Sequence, residues 1–330
     1  MSRYLITGGA GFIGSHLVRA LAREAEWVRV LDDFSTGRME SLEGVGGRVE
    51  VVRGDLRDLD TVRRAARGAE YILHHGALVS VPLSVADPVR TNEVNVGGTL
   101  NVLVAAREEN ARRVVFASST AVYGNSDRLP KREDHPSEPL SPYAASKRIG
   151  EVYGELFHRL HAVPFVALRY FNVFGPGQDE DSPYAAAIPL FIRAFLCGEA
   201  PVVYGDGSQT RDFIYISDVV DSNLLALHNA HAIGRIFNIA SGKECDINQL
   251  VSLLGRLVGS SEKPRREDPR PGDIHRSLGD TRLAREVLGF EPRTGLEEGL
   301  IETVAWYRKK ISKEEGGRPE RADGAGGEGR

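Results

Sequence analysis

Tyr143 and Lys147 stand four residues apart in "SPYAASKRIG", residues 141–150. Ser141 can accept a hydrogen bond from the first free amides of a helix, and Pro142 suits the first helical position because its missing N–H would be unpaired there. One helical turn then stacks a phenol and an ammonium on the same face. A phenol acting as a base near pH 7 must release its proton about a thousand times more readily than its ordinary value near 10 allows, roughly 4 kcal/mol. A cation about 5 Å away supplies on the order of 3 kcal/mol at an effective dielectric near 20, and a second positive charge nearby would supply the rest. Taken alone, the pair also fits a half-buried tyrosine beside a solvated lysine. Upstream, "RRVVFASSTAVYG" runs an apolar strand into Ser118, Ser119 and Thr120. Ligands of open α/β sheets bind at the carboxyl ends of strands. A hydroxyl there can hydrogen-bond a reacting oxygen and relay its proton to a phenolate.

A second pattern lies near the N-terminus. Gly9, Gly11 and Gly14, with Gly8 in "TGGAGFIG", give G-x-G-x-x-G between the strand-like "YLIT" and a helical pattern continuing through Leu17, Val18 and Leu21. That strand–turn–helix context is what separates a dinucleotide loop from a glycine-rich turn with no ligand. The glycines let the backbone approach a pyrophosphate, and the helix N-terminus offers amides and partial positive charge. About twenty residues on, Asp32 ends a second strand, where a carboxylate accepts from ribose hydroxyls and repels a 2′-phosphate. This favours NAD over NADP, with Asp33 able to share the contact.

The elements that must position these groups are legible in outline. "YLIT", "WVRVLDD", "VEVVRGD", "YILHH", "RRVVFAS" and "PFVALRY" alternate with helical patterns, which implies right-handed crossovers and a buried parallel sheet. The fold class is therefore α/β, a Rossmann doubly wound parallel sheet followed by a smaller C-terminal α/β substrate-binding part. Residues 1–171 are expected to form the NAD-binding domain, residues 172–312 the substrate domain, partly interleaved with the first, and the Gly-rich, charged stretch 313–330 a disordered tail. Two later helices carry reciprocal caps, Asp246 with Gln249 and Thr294 with Glu297. No internal repeat is present.

A chain of 330 residues with 41% apolar content can bury a real core. Its net charge of −4, with both signs interspersed, gives no basic footprint for nucleic acid and no polybasic membrane anchor. The two cysteines, Cys197 and Cys245, are too few for a disulfide scaffold and lack zinc-site spacing. They read as buried thiols in a reducing compartment. The N-terminus shows no cleavable apolar segment, and no run reaches the roughly 20 apolar residues needed to span a bilayer. The expectation is a soluble cytoplasmic protein. His74 and His75 have no metal-ligand pattern, so they read as structural and no metal is expected.

The motifs "TGGAGFIG", Asp32, "GDL", "NVGGT", "SSTAVYG" and "YAASK" resemble the extended short-chain dehydrogenase/reductase superfamily. The later "RYFNVFGPGQ", "YAAAIPLF", "GDGSQTRDFIYISD", "FNIASG" and "RPGDIHRSLGD" resemble its UDP-hexose 4-epimerases, so the similarity runs from residue 1 to about residue 310. The resemblance implies that Tyr143, assisted by Ser119, removes the proton of the sugar 4-hydroxyl while the C4 hydride passes to NAD. A 4-keto sugar then turns over and takes the hydride back on its other face. Lys147 would also hold the nicotinamide ribose. Further cofactor contacts implied are Gly8, Gly11, Phe12, Ile13, Gly14, Asp32, Asp33, Ser35, Thr36, Gly37, Asp55, Leu56, Ala77, Asn95, Ser118 and Tyr170. Asp55 and Leu56 would flank adenine, and Asn95 would steady the cofactor loop.

For the UDP-sugar, the resemblance implies Ser80, Ser119, Tyr143, Asn172, Gln178, Ala186, Ala187, Val202, Tyr204, Arg211, Arg270, Asp273 and Ser277. Arg211 and Arg270 would neutralise the diphosphate, as the guanidinium fork suits phosphate oxygens. Asp212, Asp218 and Asp273 read as loop fasteners. The small Ser277, with Ser80, Gln178 and Ala186, is similar to epimerases that act on UDP-GlcNAc and UDP-GalNAc, with UDP-Glc and UDP-Gal as a second pair. Val79 and Gly76 depart from that group's usual glycine and alanine. Sugar 4,6-dehydratases place an Asp-Glu pair after the strand-end hydroxyl, and decarboxylases a glutamate where Ala121 stands. Here Thr120 and Ala121 follow Ser119. The alternatives are a UDP-glucuronate 4-epimerase or decarboxylase and, in a different class, a non-catalytic NAD-binding protein. Family members dimerise through the helix bearing Tyr143 and the long helix before it, so a homodimer is implied. Ile149, Tyr153, Leu156 and Leu160 could serve that seam or the core.

Overall fold

The six apolar runs form six parallel strands of one sheet. The computed structural model describes residues 1–46, 48–179, 186–269 and 274–316. The first part contains β1 (Arg3–Thr7), α1 (Phe12–Leu21), β2 (Trp27–Asp32), β3 (Val49–Arg53), α2 (Leu59–Ala66), β4 (Tyr71–His74), α3 (Val81–Ala86), α4 (Pro88–Asn92), α5 (Gly98–Glu108), β5 (Arg113–Ser119), α6 (Pro142–His161) and β6 (Phe165–Tyr170). Then come β7 (Asn172–Phe174), α7 (Ala187–Leu196), β8 (Val202–Tyr204), β9 (Thr210–Tyr215), α8 (Ile216–His228), β10 (Arg235–Ile239), β11 (Glu244–Asp246), α9 (Ile247–Val258), β12 (Arg265–Glu267) and α10 (Leu296–Gly316).

The main sheet runs β3-β2-β1-β4-β5-β6-β10, every pair parallel. Its order reverses between β1 and β4, which opens a crevice at the carboxyl ends of those strands. Both faces are covered. Val62, Val102 and Leu103 from α2 and α5 meet Phe116 and Phe165 on one side, while Leu17, Val18, Val219 and Ala226 from α1 and α8 pack on the other. Double coverage explains why the strands read as continuous apolar runs rather than alternating ones. Helix α6 lies unusually close to the sheet. A Cβ at Gly150 would stand 2.5 Å from Phe116 Cζ, and one at Gly154 2.1 Å from Phe165 Cζ.

Two small sheets, β11-β9-β7 and β12-β8, carry the later residues toward the crevice. The Asp246–Gln249 capping box forms as expected, and Ser141 Oγ accepts from Ala144 N–H at 3.1 Å. Asp212 and Asp218 are fasteners: the first accepts from the amides of Ser241, Gly242 and Gly279, the second from those of Arg293 and Thr294.

Several expectations are corrected. The seventh strand of the main sheet, β10, comes from residues 235–239 and pairs with β6, within the part expected to interleave with the first; its existence as a strand of this sheet was not among the six runs read from sequence. Helix α10 begins at Leu296; the Thr294 hydroxyl pairs with Ser217 and Glu297 with Arg256 instead of with each other. Cys197 is exposed, since it sits past the end of α7, and Cys245 is half-buried. The helix continues through residue 316, inside the stretch expected as tail; residues 317–330 lie outside the described part. Among the described residues no helix is long and apolar enough to cross a membrane.

Candidate functional site

A cleft of about 670 Å³ opens at the carboxyl ends of β1, β2, β4 and β5. At one end the backbone forms a cradle. Gly8 takes φ +66°, in the left-handed region, and a Cβ there would lie 2.6 Å from Gly76 N. At Gly14 a Cβ would lie 2.1 Å from Gly8 O, so any side chain would fill the cradle. Helix α1 starts here with neither a side-chain cap nor an acid in its first turn, which leaves its amides and dipole for an anion. Asp32 stands at the rim: Oδ2 accepts from Ala10 N–H and Oδ1 from Phe34 N–H, both at 2.9 Å. Burial pushes its carboxyl up, against these two bonds. Asp33 fastens Ser35 through the amide and the hydroxyl. Farther along, Asp55 is forked to Arg57 at 2.7 Å, and that guanidinium holds its carboxyl below the usual range.

At the β5 end, α6 brings the other chemistry. Ser119 and Tyr143 both line the cleft, and Ser119 Oγ accepts from Ala121 N–H at 3.2 Å. Lys147 is buried; its Nζ donates to Ala117 O at 2.8 Å and lies 5.9 Å from the centre of the Tyr143 ring. Burial raises the phenol above its ordinary value, while the Ser119 side chain works the other way. The same burial lowers Lys147 to about 8. In the chain alone, burial thus works against both the phenolate and the ammonium. A further positive charge is required before their attraction is realised.

Of the expected cofactor residues, Gly8, Gly11, Phe12, Ile13, Gly14, Asp32, Asp33, Ser35, Thr36, Gly37, Asp55, Leu56, Ala77, Ser118, Tyr143, Lys147 and Tyr170 line the cleft. Asn95 does not. It is buried, where Oδ1 accepts from Leu78 N–H at 2.8 Å and Nδ2 donates to Leu78 O and Ser146 Oγ, both at 3.0 Å. It steadies the loop from below rather than touching a ligand.

Of the expected sugar residues, Ser119, Tyr143, Asn172, Gln178, Ala186, Ala187, Val202, Tyr204 and Arg211 line the cleft. Ser80 is not on its wall, because its hydroxyl caps α3 by accepting from Leu83 N–H at 3.1 Å. Ser277 is buried off the wall, in a segment held where Lys131 N–H donates to Leu278 O at 2.7 Å. Arg270 and Asp273 lie outside the described residues. Arg211 is oriented by donating to Thr210 O and Ile274 O at 2.8 and 2.6 Å.

The cleft also includes His75, read from sequence as structural, and Arg90, Phe191 and Phe213, which the sequence did not single out. His75 ends "YILHH" at a strand's carboxyl end, a signal that was available; its ring stacks on Tyr170 at 6.0 Å and 13°. Phe191 and Phe213 belong to apolar patterns indistinguishable from core.

A family model described as the NAD dependent epimerase/dehydratase family matches residues 4–240. The chain belongs to this family. UDP-glucose 4-epimerase of Mycolicibacterium smegmatis is 40% identical over 312 residues, 93% of this chain and 99% of that protein. Among solved structures, UDP-N-acetylglucosamine 4-epimerase from Methanobrevibacter ruminantium, in complex with UDP-N-acetylmuramic acid, has a TM-score of 0.90 at 41% identity, over 94% of this chain and 99% of that one. UDP-glucose 4-epimerase of Thermus thermophilus, in complex with NAD, has a TM-score of 0.85 at 36% identity, over 93% and 99%. NAD is the cofactor of this epimerase/dehydratase chain, and the glycine cradle, the uncapped start of α1 and the Asp32 carboxylate fit it.

Proposed function

We propose that the chain is a UDP-hexose 4-epimerase that interconverts UDP-GlcNAc and UDP-GalNAc, with UDP-Glc and UDP-Gal as a second pair. The carrying observation is what surrounds Ser119 and Tyr143, which line the same cleft. Among the described residues lining the cleft, the carboxylates are Asp32, Asp33 and Asp55, all at the cofactor end. Elimination of water at C5 and C6 needs its own acid and base, and none stands beside Tyr143. Proton removal at a hydroxyl needs only the phenol and its relay. The small Ala186 and Ala187 on the wall support room for an acetamido group.

NAD, when bound, supplies the hydride acceptor and donor at C4. Tyr143 takes the 4-hydroxyl proton and later returns it, with the Ser119 hydroxyl as the bridge between sugar oxygen and phenol. Lys147 stays protonated at neutral pH and favours the ionised phenol once a second positive charge is near. Arg211 faces the diphosphate.

A homodimer belongs to the same proposal. Val81, Val85 and Val89 on α3 and α4 are exposed beside Ile149 and Val152 on α6, an apolar face suited to a second copy. Light scattering at twice the chain mass would support it, and monomer mass would refute it.

The test incubates the NAD-loaded protein with UDP-GlcNAc, UDP-Glc and UDP-glucuronate and resolves products by proton NMR. C4-inverted UDP-GalNAc is the expected product. Decarboxylated or dehydrated sugar alone, or no turnover of any, overturns the proposal.

A further inference from the structure

Three consecutive residues of β5 meet α6. Phe116 packs where Gly150 leaves space, Ala117 O takes Lys147 Nζ, Ser118 Oγ donates to Glu151 Oε1 at 2.6 Å, and Ser119 lines the same cleft as Tyr143. Tyr143, Lys147 and Glu151 are spaced four residues apart, on successive turns of one helix face. Glu151 is fully buried, with no exposure, and lies against Arg169, which is 2% exposed. The guanidinium grips it with both prongs: Nε donates to Oε1 at 2.7 Å and Nη2 to Oε2 at 2.8 Å. Arg148 Nη1 adds a bond to Oε2 at 2.9 Å.

Arg169 is itself fixed from behind. It sits opposite Ser118 in the β5–β6 register, just as Tyr170 sits opposite Ser119. Its guanidinium lies 4.7 Å from the centre of the Tyr123 ring, and the Tyr123 hydroxyl donates to Asn238 Oδ1 on β10 at 2.6 Å. We infer that Glu151 and Arg169 are positioning residues: their buried ion pair, with Ser118, sets helix α6 against strand β5 and so fixes where Tyr143 and Lys147 stand.

Stability alone is a poor reason for such a pair, because desolvating two charges offsets much of their attraction and apolar replacements are often neutral or stabilising. What an apolar pair cannot supply is direction. A two-pronged carboxylate–guanidinium contact fixes distance and angle together, and reacting groups displaced by about 1 Å lose on the order of 10²-fold in rate.

The experiment uses the NAD-loaded enzyme with UDP-GlcNAc. Glu151→Gln should lower kcat about 10²-fold, the loss that principle gives for a displaced group, with KM and NAD occupancy unchanged. The double variant Glu151→Met/Arg169→Met removes the penalty of an unpaired buried charge, so its melting temperature should return toward wild type while kcat stays low. Arg148→Ala, which removes only the outer contact, should leave kcat as it was. Amide exchange across residues 143–150 should be faster in the double variant, a readout that needs no substrate. The kcat arm rests on the proposed 4-epimerase reading: a wild-type protein without turnover refutes that reading, while faster exchange would still support the positioning role. Wild-type kcat in the double variant, or exchange unchanged across 143–150, overturns the inference.

Discussion

The two ends of the cleft are built from different materials. At the cofactor end the contacts come from main chain: a glycine turn, the free amides of α1 and one carboxylate already held by two backbone bonds. At the proposed sugar end the wall is made of side chains on short strands, Asn172 on β7, Val202 and Tyr204 on β8, and Arg211 on β9. Main-chain contacts leave nothing to trim, so a substitution there obstructs. Side-chain contacts can be shortened, so substitutions there grade the response. Tyr143 and Lys147 line the cleft between the two.

Tyr143→Phe tests that shared position and should have the largest effect. Removing the hydroxyl should lower kcat by about 10³-fold, within the range for a lost general acid–base group, while bound NAD is retained. Loss of NAD together with activity would mean that the phenol belongs to the cofactor end alone. Gly14→Ala breaks the comparison from the other side. Its Cβ would fall 2.1 Å from Gly8 O, a backbone atom that cannot turn away, so NAD affinity should drop about 10²-fold or more, roughly 3 kcal/mol. Equilibrium dialysis against NAD checks it, and wild-type affinity would show that the turn is not a cradle. At the graded end, Arg211→Lys keeps the charge but loses the planar fork. It should raise KM for the UDP-sugar by about tenfold, near 1.4 kcal/mol, with NAD binding unaffected.

The same difference governs how much could be read from sequence. A main-chain cradle has a spacing, so Gly8, Gly11, Gly14 and Asp32 were visible, as were six of the seven main strands, whose double burial makes continuous apolar runs. The seventh strand was hidden because "RIFNI" arrives 64 residues after β6, among loops, helices and three short strands of other sheets. Ser80 and Ser277 misled for a related reason. A small hydroxyl at a suitable position reads the same whether it faces a ligand, caps α3 or lies buried, and only the tertiary fold decides. The pairing of Ser118 with Glu151 and Arg169 joins three separate elements and carries no local signature at all.

A prediction about stability rather than activity concerns His75, which lies where the two ends meet: its ring stacks on Tyr170, and Nε2 is 3.2 Å from Asn223 Oδ1 on α8. Burial, reinforced by the Lys147 charge and opposed by the Asn223 bond, lowers this histidine to about 3. Its ordinary value is near 6.5, so as pH falls below that point the unfolded chain takes up a proton that the folded chain refuses. The stability it contributes is therefore complete above about pH 6.5 and is lost progressively as the pH falls toward 3. His75→Phe keeps a ring against Tyr170 and deletes the titration. Between pH 6 and 4 the unfolding free energy of the variant should fall less steeply with acid, by about 1.4 kcal/mol per pH unit, as measured by denaturant titration. His74, also buried and lowered to about 3, keeps its own slope in both proteins. An unchanged slope would mean that His75 is protonated within the fold, and that the floor between cofactor and sugar carries a charge rather than a neutral ring.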